Sequence, residues 1–114
     1  MSRGAAIRFA DALTRVPDAQ GRAFAVMFEH GTLALEIYAP RGTDPQQPHR
    51  RDELYVVVAG SGTFFCDGAR TPFAAGDALF VPAGAAHRFE DFSADFAVWV
   101  IFYGPDGGEG AAAS

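Results

Sequence analysis

With 114 residues, 49% of them hydrophobic and eleven of them Phe, this chain can bury one core and is read as a single domain. A net charge of -5, with nine arginines and no lysine, argues against the basic stripe that displaces counterions from nucleic acid. The lone cysteine, Cys66, excludes an internal disulfide and fits a reducing cytoplasm.

Residues 1–20 form an N-terminal arm in which Ile7, Phe9, Leu13 and Val16 can build a short helix that Pro17 stops. The arm lacks the sustained apolar stretch of a signal peptide. The longest apolar run, 96–103, is eight residues against the roughly 20 that span a bilayer. A soluble, cytoplasmic protein without a membrane partner is expected. The exclusive use of arginine reads as the habit of a GC-rich bacterial genome.

From Arg22 onward the pattern changes to short strands, at 23–29, 33–39, 53–58, 62–66, 78–81, 87–92 and 96–103. Turn residues separate them, and Asp67-Gly68 has the composition of a two-residue hairpin turn. Many short strands without intervening helices predict an all-β antiparallel sandwich or barrel over 21–104. Residues 105–114, rich in Gly and Ala, read as a flexible tail. Leu54, Val56 and Val58 alternate with Glu53, Tyr55 and Val57, so strand 53–58 is apolar on both faces, and 96–103 is apolar throughout. One face would meet the barrel core and the other a second subunit, which predicts a homodimer. The alternative is that the N-terminal arm covers that second face within one chain.

Three histidines exist in the chain, and His49 and His87 stand beside glycine and proline punctuation with Glu53 close to the first. On a straight strand, His49 and Glu53 would lie about 13 Å apart at their Cα atoms. One ion with ligands at about 2.1 Å cannot hold them at that distance. The chain must bend, and the polar Arg50-Arg51-Asp52 is the corner. One arginine of that corner could meet an anionic substrate, although a solvated turn is the simpler reading.

These residues resemble the cupin family, whose motifs run G-x5-H-x-H-x3,4-E-x6-G and G-x5-P-x-G-x2-H-x3-N. Glu53 and Gly60 anchor the first, with His49 on the second histidine position; Gly76, Pro82, Gly84 and His87 match the second at every spacing. The resemblance covers roughly residues 21–104. Gln47 stands where the family's first histidine falls, Gly42 is one residue too close to it, and Asp91 replaces the closing Asn.

The resemblance implies a jelly roll of the double-stranded β-helix type and a divalent metal ion (Fe, Zn, Mn or Ni) on His49, Glu53 and His87. Gln47 would be a fourth, weaker ligand or a residue orienting substrate or water. Two histidines and one carboxylate with open positions is the arrangement of non-haem iron oxygenases. An enzyme acting on a small oxygenated metabolite is therefore expected: an oxygenase first, an isomerase or lyase next. The alternatives are a non-catalytic small-molecule sensor and a structural cupin with a degenerate site. Tyr38, Tyr55, Phe89 and Trp99 are candidates for an aromatic pocket lining, with core packing as the simpler reading of each. His30 reads as a solvated turn residue and Cys66 as core. No G-x-S-x-G elbow, phosphate loop or C-x-x-C pair is present.

Overall fold

A computed structural model describes residues 3–110. After a short helix, α1 (Phe9–Leu13), come β1 (Phe24–His30), β2 (Leu33–Tyr38), β3 (Asp52–Ala59) and β4 (Ser61–Cys66). They are followed by β5 (Ala69–Ala74), β6 (Ala78–Val81), β7 (His87–Glu90) and β8 (Ala97–Tyr103). The strands form two antiparallel sheets, of order β1-β2-β8-β3-β6 and β5-β4-β7, facing each other as a jelly roll. None of the described helices is long and apolar enough to cross a membrane.

The alternation along β3 decides which residues meet the core. Glu53, Tyr55 and Val57 are buried, whereas Leu54 and Val56 on the other face are only partly so. Register carries that inner face across the sheet, since Tyr55 pairs with Val100 and Val57 with Val98. Phe64, Phe73 and Phe89 of the smaller sheet, with Phe96 before β8, complete the core. The Phe89 ring lies at its centre, 4.7 Å from Phe96, 4.8 Å from Tyr55 and 5.5 Å from Phe73 between centroids.

Two turns show why the sequence is punctuated where it is. Asp67 and Gly68 both adopt positive φ, 49° and 89°, as a hairpin turn matched to strand twist requires. Gly60, at φ +88°, links β3 to β4 where the chain passes Phe96; an added Cβ would stand 2.7 Å from the Phe96 Cα. Only glycine satisfies both conditions there.

Three expectations are corrected. β5 went unforeseen because its sequence, Ala-Arg-Thr-Pro-Phe-Ala, buries Phe73 alone and contains Pro72. It is an edge strand, where proline's missing N–H removes little from the ladder. Second, residues 105–110 are tied down. The Gly107 N–H donates to the Arg50 carbonyl at 2.7 Å and the Glu109 N–H to Asp52 Oδ2 at 2.8 Å. Residues 111–114 lie outside the described residues. Third, Trp99 is not among the residues lining the cavity beside His49 and Glu53. It belongs to a separate cluster on the outer face of the larger sheet, with Ala25, Ile37 and Met27. The arm packs there through Ala12, fully buried, and Phe9, whose ring meets Trp99 edge-on at 6.2 Å. The arm thus covers part of the second apolar face from within the chain.

Candidate metal centre

β3 begins only at Asp52, and residues 48–51 form an irregular bend. That bend folds His49 back so that its Nε2 lies 3.7 Å from Glu53 Oε1, in place of the separation a straight strand would impose. Glu53 is the first inward position of β3 after the bend and is fully buried. His87 opens β7 in the opposite sheet, 4% exposed, with Nε2 at 3.2 Å from the same Glu53 oxygen. The three side chains therefore converge, each offering a ligand atom within 4.8 Å of the others. Atoms about 2.1 Å from one ion stand roughly 3–4 Å apart, so small side-chain rotations suffice for joint coordination.

The hydrogen bonding orients these groups towards a common point. The Ala85 carbonyl lies 3.0 Å from His87 Nδ1, so Nδ1–H donates there and leaves the Nε2 lone pair facing Glu53. Beyond their own 3.2 Å ion-pair approach, neither oxygen of Glu53 nor Nε2 of His87 has a hydrogen-bond partner among the described residues. Buried polar atoms are otherwise almost always satisfied. Three orphaned atoms on one point are the electron-pair donors of a cation site. Burial holds the His49 pKa below its ordinary value, against the pull of Glu53, which keeps the imidazole neutral and able to ligate. At His87 burial acts in the same direction, but Glu53 and the Ala85 carbonyl outweigh it and raise the pKa. A cation would compete with that proton.

Gln47 is exposed, and the residue that reaches inward is Gln46. Gln46 Oε1 accepts from the Tyr55 hydroxyl at 2.9 Å and stands 3.3 Å from His49 Nε2, while its amide donates to Asp44 Oδ2 at 2.8 Å. Asp44 also accepts from the Tyr38 hydroxyl and from the Phe89 N–H at 2.7 Å, pinning the loop to both sheets. Asp44 and Gln46 were not foreseen. An acidic and an amide residue in a loop look like solvated turn residues until their partners are visible.

Of the four aromatic candidates, Tyr38 lines the cavity beside the centre, Tyr55 packs behind it 6.2 Å from the His87 ring, and Phe89 is core. The cavity measures about 1030 Å³. Its lining includes His49 and Glu53, Tyr38, Val100 and Phe102 of the barrel, and Leu13, Val16 and Pro17 of the arm. Burial, with the neighbouring carboxylate Asp44, raises the Tyr38 pKa, so its hydroxyl stays protonated. His30 is exposed at the end of β1, and Cys66 is partly buried against the core.

A two-sheet antiparallel barrel with two histidines and one carboxylate at a cavity defines the class. The model of the family described as "Cupin domain" matches residues 34–103, and the chain belongs to that family. An uncharacterised protein of Streptomyces coelicolor is 42% identical over 64 residues, 56% of this chain and 61% of that one. The chain thus spans less than two thirds of that relative's length. A cupin-2 domain protein of Shewanella frigidimarina superposes with a TM-score of 0.66 at 17% identity, covering 86% of this chain and 94% of that one. The DMSP lyase of Ruegeria pomeroyi superposes with a TM-score of 0.64 at 26% identity, over 77% of this chain and 50% of the lyase.

Proposed function

We propose that this cupin is a metal-dependent enzyme acting on a small oxygenated metabolite, with His49, Glu53 and His87 as ligands. The observation that carries the reading is the buried Glu53, whose two oxygens and the His87 Nε2 lack partners at the end of a ligand-sized cavity. A divalent ion (Fe, Zn, Mn or Ni) would supply Lewis acidity, and iron would add oxygen chemistry. The chain's own residues do the rest. His49 faces the open side, Gln46 links the Tyr55 hydroxyl to Asp44 beside it, the Tyr38 hydroxyl donates to Asp44 and keeps its own oxygen as an acceptor, and Val100 and Phe102 give the chamber apolar walls. The donor set favours an oxygenase; similarity to a lyase keeps lyase or isomerase chemistry next.

Elemental analysis of freshly purified protein tests this first. Stoichiometric metal, reduced at least tenfold in His49→Ala, is expected. No bound metal, even after reconstitution with each of the four ions, would sink the enzyme reading and leave a structural barrel. Oxygen uptake and product analysis with a panel of hydroxy and keto acids then separate oxygenase from lyase or isomerase. A metal-loaded protein that binds panel members without turnover would instead be a sensor, the use that the cavity alone supports.

We further propose that the chain forms homodimers through the part of the outer face that the arm leaves bare. Phe80 is half exposed there, and its neighbours by register, Leu54, Ile101 and Leu35, continue one apolar row across the sheet. Sedimentation should show a dimer that Phe80→Glu converts to monomer; a wild-type monomer at micromolar concentration would refute it.

A further inference from the structure

A second carboxylate projects into the cavity, and neither the metal reading nor the cupin motifs use it. Glu36 pairs with Val100 across the β2–β8 ladder, and Val100 pairs with Tyr55. The next inward row runs Ala34, Phe102 and Glu53. Residues paired across a sheet share a face, so Glu36 looks into the same chamber as Glu53. Two strand spacings and two residues along the strand put their Cα atoms about 12 Å apart. Glu36 lines the same cavity as His49, Glu53 and the arm residues Leu13, Val16 and Pro17.

The charged groups around the chamber are engaged elsewhere and none pairs with Glu36. Asp44 is satisfied by Tyr38, Gln46 and the Phe89 N–H. Arg22 is held by Asp18 at 2.6 Å, and Arg41 donates to the carbonyls of Pro40 and Phe96. Arg51 is committed to the Thr32 carbonyl and lies over the Phe102 ring without pairing with Glu36. Glu36 has no hydrogen-bond or ion-pair partner among the described residues. Burial raises its pKa, and Glu53 adds to the effect while Arg51 opposes it. A cation placed against it would relieve both penalties. Of the aromatic walls, Phe24 and Phe102 already carry the Arg22 and Arg51 guanidinium groups over their rings, at 5.6 and 5.7 Å, and Tyr38 adds a third ring to the lining.

We propose that Glu36 is the second recognition group of this chamber, selecting ligands with a protonated amine remote from the oxygens that meet the metal. The inference rests on the metal reading for one end of the ligand only. Ligands with a second carboxylate are disfavoured by like charge, and those with a plain alkyl end leave Glu36 unpaired.

The test is calorimetric titration of the metal-loaded protein with 4-aminobutyrate and 6-aminohexanoate against butyrate and hexanoate. At least one amino acid should bind about tenfold more tightly than its parent acid, a difference of about 1.4 kcal/mol. Glu36→Gln should bring each pair within about twofold, and Glu36→Lys should turn the preference towards adipate. Metal content and unfolding midpoint of each variant identify any that misfolds. Equal binding in the wild type, or a preference that survives Glu36→Gln, would overturn the proposal. The metal-free protein is titrated in parallel with n-butylammonium and n-butanol, followed by NMR. A Glu36-dependent preference there, in protein that takes up no metal, would sustain the role of Glu36 while sinking the metal reading. No preference in either form would overturn the role itself.

Discussion

Replacing Glu53 with methionine is expected to act with opposite signs on the two forms of the protein. Glu53 is fully buried and both its oxygens lack partners, so without a cation it is a desolvated acid held in place by the fold. An apolar side chain of similar length removes that penalty, and His87 can become neutral once the carboxylate is gone; replacing a whole buried ion pair gains roughly 1–4 kcal/mol, so with the histidine left in place the lower end is expected. Metal-free Glu53→Met should therefore melt above metal-free wild type. With metal the order reverses. A ligand at a hundred times its Kd stabilises the native state by about 2.7 kcal/mol, which for a domain of this size is roughly 10 °C. The variant, lacking its central ligand, should show none of that gain. Thermal unfolding with and without chelator, on both proteins, measures the two effects. Destabilisation of the variant in the metal-free state, or a wild type indifferent to metal, would show that Glu53 is held for another reason.

The second large effect belongs to Phe89. Its ring is 2% exposed and meets Tyr55, Phe64, Phe73 and Phe96 at the junction of the two sheets. Truncation to alanine removes the transfer energy of the ring and opens a void that neighbours on two rigid sheets can fill only partly, at about 3–5 kcal/mol. Phe89→Leu should recover more than half of that loss. Because the Phe89 N–H also holds Asp44, the alanine variant should loosen the loop carrying Gln46 and His49, and metal affinity should fall with stability. Denaturant unfolding and metal titration of the same samples check both. A loss below about 1 kcal/mol would mean that the core repacks around the hole.

Most of the barrel was legible because glycine and proline turns delimit short runs rich in β-branched and aromatic residues, as at β3, β6 and β8. Where it failed, a local rule was applied outside its range. Gln47 falls on the family's first histidine position by motif spacing, but that segment is an irregular loop, so alternation does not decide which glutamine faces inward. Trp99 lies on a strand that is apolar at every position, which leaves the pattern silent about which side faces the core. Glu36 stands between Leu35 and Ile37 and reads as the wet side of a strand. It faces a chamber because its pairing with Val100, and Val100's with Tyr55, put it on the inner face, a long-range fact no local window contains. The convergence of His49, Glu53 and His87 was the most accessible part of the site, because motif spacing fixes strand ends and those ends fix the side chains.

The arm's double contact has a consequence for how such a protein can diversify. Val16 packs with the outer cluster and also borders the cavity, alongside Leu13 and Pro17. The ion-binding groups come wholly from the barrel and its bend, whereas one wall of the chamber comes from a peripheral segment with a single fully buried residue, Ala12. The groups that would hold an ion and one wall that would shape what enters thus come from separate stretches of chain. Changes at Leu13, Val16 or Pro17 can reshape what enters without touching the groups that would act on it.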